Sequence, residues 1–182
     1  MNNQAPLTDE ELVELVRSGD TEKYAELIKR YQSKLLRYAT YILSDEDSGA
    51  DAVQEGFISA YTNLNAFNIQ KKFSSWLYRI VHNKAVDILK KQNKQRPMAD
   101  SIDFDSGTDL EEEYIKNEII NHAQNCLAEM YIIYKTPLSL FYLEEKSYEE
   151  ISDILRIPVN TVGTRISRAK QIMKKICQKN SI

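Results

Sequence analysis

Residues Ser48–Lys91, SGADAVQEGFISAYTNLNAFNIQKKFSSWLYRIVHNKAVDILKK, decide the fold. The spacing predicts two helices, over Ser48–Phe67 and Lys71–Gln92, that share one core and turn opposite charges outward. In the first, Val53, Phe57, Tyr61 and Leu64 recur at helical intervals and form an apolar stripe. A second face carries Asp51, Gln54, Glu55 and Ile58, acidic with one exposed aliphatic, and no Lys or Arg occurs between Ala39 and Gln70. The second helix reverses the sign. Lys71, Lys72, Arg79, Lys84, Lys90, Lys91, Lys94 and Arg96 stand against one acid, Asp87. Phe73, Leu77, Ile80 and Ile88 mark its core stripe, while Lys72, Trp76, Arg79, Asn83 and Lys90 share another stripe, three or four residues apart.

A basic helical face with an aromatic and an amide suits a nucleic acid: cations neutralise phosphates, rings stack on bases, and an amide hydrogen-bonds a base edge. The adjacent acidic face repels such a strand and calls for a different, basic partner. Taken alone, each stripe is also what a solvated face of a helical bundle looks like, and a tryptophan is more often core than contact. A second DNA-type motif further along decides between the readings.

That motif lies at the other end of the chain. Ser147-Tyr148-Glu149-Glu150 is a capping box that opens a short helix with Tyr148, Ile151 and Leu155 on one face. A tight connection at Arg156-Ile157-Pro158 leads into a final helix, Val159–Cys177, with Val162, Ile166, Ala169, Met173 and Ile176 inward. This is helix–turn–helix spacing. From Arg156 onward there are seven basic residues and no acid. Asn160, Thr164, Ser167, Arg168 and Gln171 face away from the apolar stripe, with Thr161 and Arg165 on the flank. Short polar residues early in such a helix approach base edges, and arginines take guanine or phosphate.

The rest frames these two motifs. Before Ser48, Thr8 with Glu11 forms a capping box for a first helix, Gly19-Asp20 breaks it, and Leu27, Tyr31, Leu35, Tyr38 and Ile42 stripe a longer helix over Thr21–Leu43. Residues 94–108 lack periodicity and run into Asp109 and Glu111-Glu112-Glu113, an acidic flexible linker that predicts loosely joined domains. A helix with Tyr114, Ile115 and Ile119 follows it, and Thr136-Pro137 reads as the cap and first turn of another through Leu138, Phe141 and Tyr142. The expected fold is all-α: two small helical domains, 1–95 and 111–182, joined by a linker at 96–110, the second containing the helix–turn–helix.

Composition sets limits. With 182 residues, 28% charged and a net charge of −3, the chain is an ordinary globular protein and not one that coats DNA indiscriminately. Cys126 and Cys177 are solitary, with no CxxC and no His at ligand spacing, and read as reduced structural thiols of a cytosolic protein. His82 and His122 suggest no metal. No apolar run is long enough to span a membrane, and the N-terminus lacks a signal-peptide pattern. No phosphate-binding glycine loop, nucleophile–base set or metal spacing points to an enzyme, and no cofactor is expected.

Four stretches together resemble one family. Asp51-Ala-Val-Gln-Glu-Gly-Phe57, Phe73-Ser-Ser-Trp-Leu-Tyr-Arg-Ile80 with Asn83, Ser147-Tyr-Glu-Glu-Ile-Ser152 and Ile157-Pro-Val-Asn-Thr-Val-Gly-Thr-Arg-Ile-Ser-Arg168 look like extracytoplasmic-function sigma factors of bacterial RNA polymerase. The likeness runs from about Glu10 to Ile176. It implies that Asp51, Gln54, Glu55 and Ile58 dock the clamp helices of the polymerase's largest subunit. It implies that Lys72, Trp76, Arg79, Asn83 and Lys90 open the minus-ten element and hold a flipped base. It implies that Asn160, Thr161, Thr164, Arg165, Ser167 and Arg168 read the minus-thirty-five element of promoter DNA. An anti-sigma factor is a further partner that the family leaves open. This chain departs from the family at Gly163, where a basic residue is common, and at Glu145 and Arg156, where glycine is usual in the turns. Two other readings stay open at this point: a stand-alone helix–turn–helix regulator and a protein-binding helical adaptor.

Overall fold

The computed structural model describes residues 6–95 and 125–179, and among these every regular element is helical. The linker expected at 96–110, the helix through Tyr114 and Ile119, and His122 lie outside the described residues. The N-terminal bundle is built from α1 (Asp9–Arg17), a 3-10 turn (Thr21–Lys23), α2 (Tyr24–Leu43), α3 (Glu46–Thr62) and α4 (Phe73–Gln95). Thr8 and Glu11 close the expected capping box on α1. Gly19 then takes φ +112°, a conformation that costs other residues dearly, and ends the helix there. Asp45 caps α3 by accepting from the Ser48 N–H at 2.9 Å. That cap starts α3 two residues before the expected Ser48, and the helix stops at Thr62, followed by a 3-10 turn over Leu64–Ala66.

Leu27, Leu35, Tyr38, Phe73 and Leu77 are fully buried and tie α2 to α4. Each such leucine contributes about 1.5–3 kcal/mol of apolar burial. The stripe predicted for α3 needs one correction. Val53, Phe57 and Leu64 are buried, but Tyr61 is 43% exposed, and Ala52, Gly56 and Ala60 take the inner face instead. Small residues are needed there because α4 comes very close: a Cβ on Gly56 would stand 2.5 Å from a Val81 methyl.

The second domain comprises a helical end at residues 125–128 (α5), α6 (Ile132–Tyr142), α7 (Tyr148–Leu155) and α8 (Val159–Lys179). Thr136-Pro137 is not a helix start. The α6 helix begins one turn earlier, after Tyr131, and Thr136 donates its hydroxyl to the Ile132 carbonyl at 2.8 Å. Proline is tolerated inside because the carbonyl it leaves without an N–H donor belongs to Ile133, in the exposed first turn. Ser147 and Glu150 form the expected capping box on α7. Glu145 and Arg156, on either side of α7, both adopt positive φ, 50° and 55°, the region that favours glycine.

The cysteines are corrected as well. Cys126 and Cys177, read from the sequence as separate reduced thiols, are joined in a disulfide with Cα atoms 5.5 Å apart. Fifty-one residues separate them along the chain, but α8 folds back so that its last turn meets α5.

The two domains pack against each other. The α7 helix packs on α4, and α6 packs on α2. At this seam the Lys135 ammonium is buried with the Ser44 hydroxyl at 3.3 Å, and burial pulls its pKa down to about 8.

Candidate nucleic-acid interface and docking face

The acidic face is what α3 leaves over after its core is made. Asp51, Gln54, Glu55 and Ile58 are all exposed, on the side away from Val53 and Phe57. Ile58 is 57% exposed, and beside it the outward Tyr61 adds a second apolar surface residue that the stripe reading had placed in the core. Glu46 and Asp47 keep the helix N-terminus negative, where the helix dipole stabilises acid. The surface pair of Glu55 with Lys84 of α4, at 3.2 Å, is half open to solvent and contributes little to stability. All four predicted docking residues are therefore on one accessible surface.

The α4 face is positioned from three directions. Its first N–H, that of Phe73, donates to Glu10 Oε1 at 2.9 Å, so the cap comes from α1, 63 residues away. The Arg17 guanidinium holds the preceding turn by donating to the carbonyls of Leu64 and Phe67. Trp76 then stacks among Phe67 and Phe73, with ring centroids 5.2 and 5.8 Å away, and is half-buried. At mid-helix, His82 Nδ1 and the Tyr38 hydroxyl lie 3.0 Å apart. Burial lowers the His82 pKa to about 4, so the ring is neutral at ordinary pH.

The structure brings Lys72, Trp76, Arg79 and Asn83 onto one side of α4, but only Lys72 and Asn83 are exposed. Lys72 Nζ donates to Glu150 at 3.1 Å, and the Arg79 guanidinium reaches Asp153 Oδ1 at 3.3 Å with its side chain only 15% exposed. Lys71 reaches the same Asp153 at 3.7 Å. Burial and the neighbouring Arg156 lower the Arg79 pKa, and Asp153 opposes them. Burial raises the Glu150 pKa, but the Ser147 N–H and Lys72 outweigh it, and the net direction is down. Lys90 lies on the same side two turns beyond Asn83, exposed and paired with Asp87 at 3.6 Å.

The α8 face is different. Asn160, Thr164, Ser167 and Arg168 are exposed, and Thr161 and Arg165 are half-buried on the flank. Pro158 opens the helix by accepting from the N–H groups of Thr161 and Val162 at 2.8 and 3.1 Å. The turn before it is locked by the Ser152 hydroxyl, which donates to the Ile157 carbonyl at 2.6 Å. Val162, Ile166 and Ala169 anchor the opposite side. The helix can therefore present short polar residues and two arginines to a groove without disturbing its core. Gly163 lies against the Tyr148 ring, 3.4 Å from where a Cβ would stand, at the contact of α7 with α8.

One group escaped the sequence reading. Glu144, at the end of α6, is buried and accepts from the Tyr78 hydroxyl at 2.5 Å and the Arg37 Nε at 3.0 Å. Its partners lie 66 and 107 residues away on α4 and α2, and no local pattern links them.

Similarity to known proteins follows this geometry. Residues 27–95 match the family model described as Sigma-70 region 2, and residues 122–173 match Sigma-70, region 4. The ECF RNA polymerase sigma factor SigW of Bacillus subtilis is 30% identical over 174 residues, covering 90% of this chain and 93% of the relative. The ECF RNA polymerase sigma-E factor of Haemophilus influenzae is 35% identical over 179 residues, covering 92% and 94%. Among solved structures, CnrH in complex with the cytosolic domain of CnrY superposes with a TM-score of 0.73 at 22% identity, covering 94% of this chain and 97% of that one. The sigma factor RpoE of Bartonella quintana, in complex with the anti-sigma factor NepR, gives 0.69 at 16% identity, covering 86% and 98%. These two share the fold.

Proposed function

The chain belongs to the extracytoplasmic-function sigma factors, which bind core RNA polymerase and direct it to promoters, and from that premise we propose a residue-level division of labour. The observation that carries it is the sign reversal across one bundle, acidic on the exposed side of α3 and basic along α4, with a third, open face on α8. A stand-alone regulator would use only the last of these, and an adaptor would use neither basic face.

Asp51, Gln54, Glu55 and Ile58 dock the clamp helices of the largest polymerase subunit. The acids meet a basic surface, and Ile58 is the apolar anchor that loses water on contact. Domain 1–95 recognises and melts the minus-ten element. Lys72, Arg79 and Lys90 track phosphates, Trp76 supports an unstacked base, and Asn83 hydrogen-bonds its edge. Domain 111–182 places α8 in the major groove of the minus-thirty-five element, with Asn160, Thr161, Thr164, Arg165, Ser167 and Arg168 facing bases and phosphates. The protein acts as a regulatory subunit without chemistry of its own, in the cytoplasm where polymerase works. An anti-sigma factor completes the set of partners, a reading supported by the relative whose structure was solved with one.

Transcription from a defined promoter, reconstituted with core polymerase, tests the reading. Glu55→Lys should weaken capture of core by about tenfold while circular dichroism stays unchanged, because the side chain faces away from the core. Capture at the wild-type level would remove this face from the interface.

A further inference from the structure

The connection from α3 to α4 leaves Asn68, Ile69, Gln70 and Lys71 exposed at its tip, just ahead of Trp76. That tip is a turn. The Lys71 N–H donates to the Asn68 carbonyl at 2.9 Å, and the Gln70 N–H donates to the Asn68 side chain at 3.0 Å. Both ends of the connection are held from α1. On the entering side, the Arg17 guanidinium donates to the Leu64 carbonyl at 2.7 Å from Nη2 and 3.2 Å from Nε, and to the Phe67 carbonyl as well. The guanidinium carbon lies 6.0 Å from the centre of the Phe67 ring, and Glu14 steadies it from the solvent side at 2.7 Å. On the leaving side, Glu10 Oε1 accepts the Phe73 N–H at 2.9 Å. Glu10 and Arg17 are seven residues apart, two turns of α1, so one helix face carries both. The match to region 2 begins at residue 27 and assigns nothing to α1.

We infer that Glu10 and Arg17 are positioning residues for strand opening: from α1 they clamp both ends of the connection, fixing the Asn68–Lys71 turn and the Phe67–Trp76 ring pair in the shape that receives an extruded base. An exposed turn samples many conformations unless its ends are fixed, and a strand that has to order it binds more weakly. Arg17 suits the task because its planar fork reaches two carbonyls at once in a fixed geometry, where a lysine offers a point charge on a flexible stem. Glu10 suits it because the first N–H of α4 has no partner within its own helix and takes one from α1. Phe67 carries the effect to the face of α4: its backbone is pinned by Arg17, and its ring centroid is 5.2 Å from that of Trp76. Both residues act through the turn and not on DNA. The inference rests on the strand-opening reading of α4, and the test separates the two.

The full-length chain and its Arg17→Ala, Arg17→Lys, Glu10→Ala, Glu10→Gln and Asn83→Ala variants are each assembled with core polymerase on one promoter. Permanganate reactivity of unpaired thymines reports opening, and a mobility shift in the cold reports closed binding. Arg17→Ala should lower opening on the order of tenfold with closed binding nearly unchanged. Arg17→Lys, which loses the fork, should recover only part of that. Glu10→Ala should act in the same direction, and Glu10→Gln, which keeps an oxygen for the Phe73 N–H, should open like the wild type. Arg17→Ala decides; if it loses helix by circular dichroism, Glu10→Ala decides in its place. An equal fall in opening and closed binding means a structural role alone and overturns the clamp. Wild-type opening in the deciding variant, with Asn83→Ala impaired, overturns the clamp and leaves the strand-opening reading intact. Wild-type opening in both overturns that reading, and the clamp with it. Impaired opening in the deciding variant with Asn83→Ala normal upholds the clamp and moves the base contact from Asn83 to the turn.

Discussion

Two helices of this chain are read as facing DNA, and they are treated oppositely by their surroundings. The α8 face projects into solvent, with Asn160, Thr164, Ser167 and Arg168 exposed. The corresponding face of α4 is overlaid by α7, and Arg79 is drawn into an ion pair with Asp153. The difference follows from position. The α8 helix packs on α6 and α7 along one side, whereas α4 is at the centre of the first bundle and is held by α1, α2 and α3 before α7 reaches it. A central helix is rigid and well placed to keep a base out of its stack. It is also easily covered. The pair of faces therefore suggests a sequence of use, the open one available at once and the covered one after a rearrangement.

The largest expected effect probes the central helix. His82 on α4 is held neutral by burial, with a pKa lowered to about 4 against an ordinary value near 6.5. Between those values the unfolded chain binds more protons than the folded one. The stability is therefore complete above about pH 6.5 and lost as pH falls toward 4, by up to about 3 kcal/mol. Chemical denaturation followed by Trp76 emission should show it, and His82→Gln should flatten the pH dependence between 6.5 and 4. If the wild-type and variant curves remain parallel, His82 is not what makes α4 acid-sensitive.

The next tests the division of labour directly. Within the polymerase complex, Arg168→Ala should cost about 1–3 kcal/mol of closed-complex binding, tenfold to hundredfold, with strand opening nearly unchanged. Asn83→Ala should lower opening more than closed binding. A mobility shift in the cold reports the first and permanganate reactivity of unpaired thymines the second. Equal losses in both signals for both variants would abolish the contrast between α4 and α8.

The smallest effect concerns the cover itself. Glu145 and Arg156 bracket α7 in left-handed conformations that cost a residue with a Cβ about 1 kcal/mol. Either substitution to glycine should relieve most of that, offset in part by the freer unfolded chain. A rise of a few degrees in melting temperature is expected for Glu145→Gly. Arg156→Gly should gain less, because it also loses a 3.7 Å contact with Asp153. A fall in melting temperature for both would mean that these turns are not strained.

Much of the molecule was legible because its signals are local. Capping boxes at Thr8 and Ser147, the break at Gly19 and the periodicity of α2 and α8 each depend on residues within a turn of one another. The errors share a cause. Tyr61 has the right spacing for the core, but small residues beside it, Gly56 and Ala60, let α4 approach along a different line. Thr136-Pro137 has the chemistry of a helix start, yet helix propagation from Tyr131 overrode it. Cys126 and Cys177 carry no sequence mark of pairing, because their meeting depends on where α8 ends.

The sequence by itself determined that the chain is helical, which faces are charged and with what sign, and the family to which those faces belong. Periodicity, capping and charge act over three or four residues and survive any arrangement of the helices. Only the tertiary structure decided which of those faces are free. The Glu144 contact joins the end of α6 to Tyr78 on α4 and Arg37 on α2, 66 and 107 residues away, and it rests on burial of the Glu144 carboxylate, which no segment possesses until the others have packed around it.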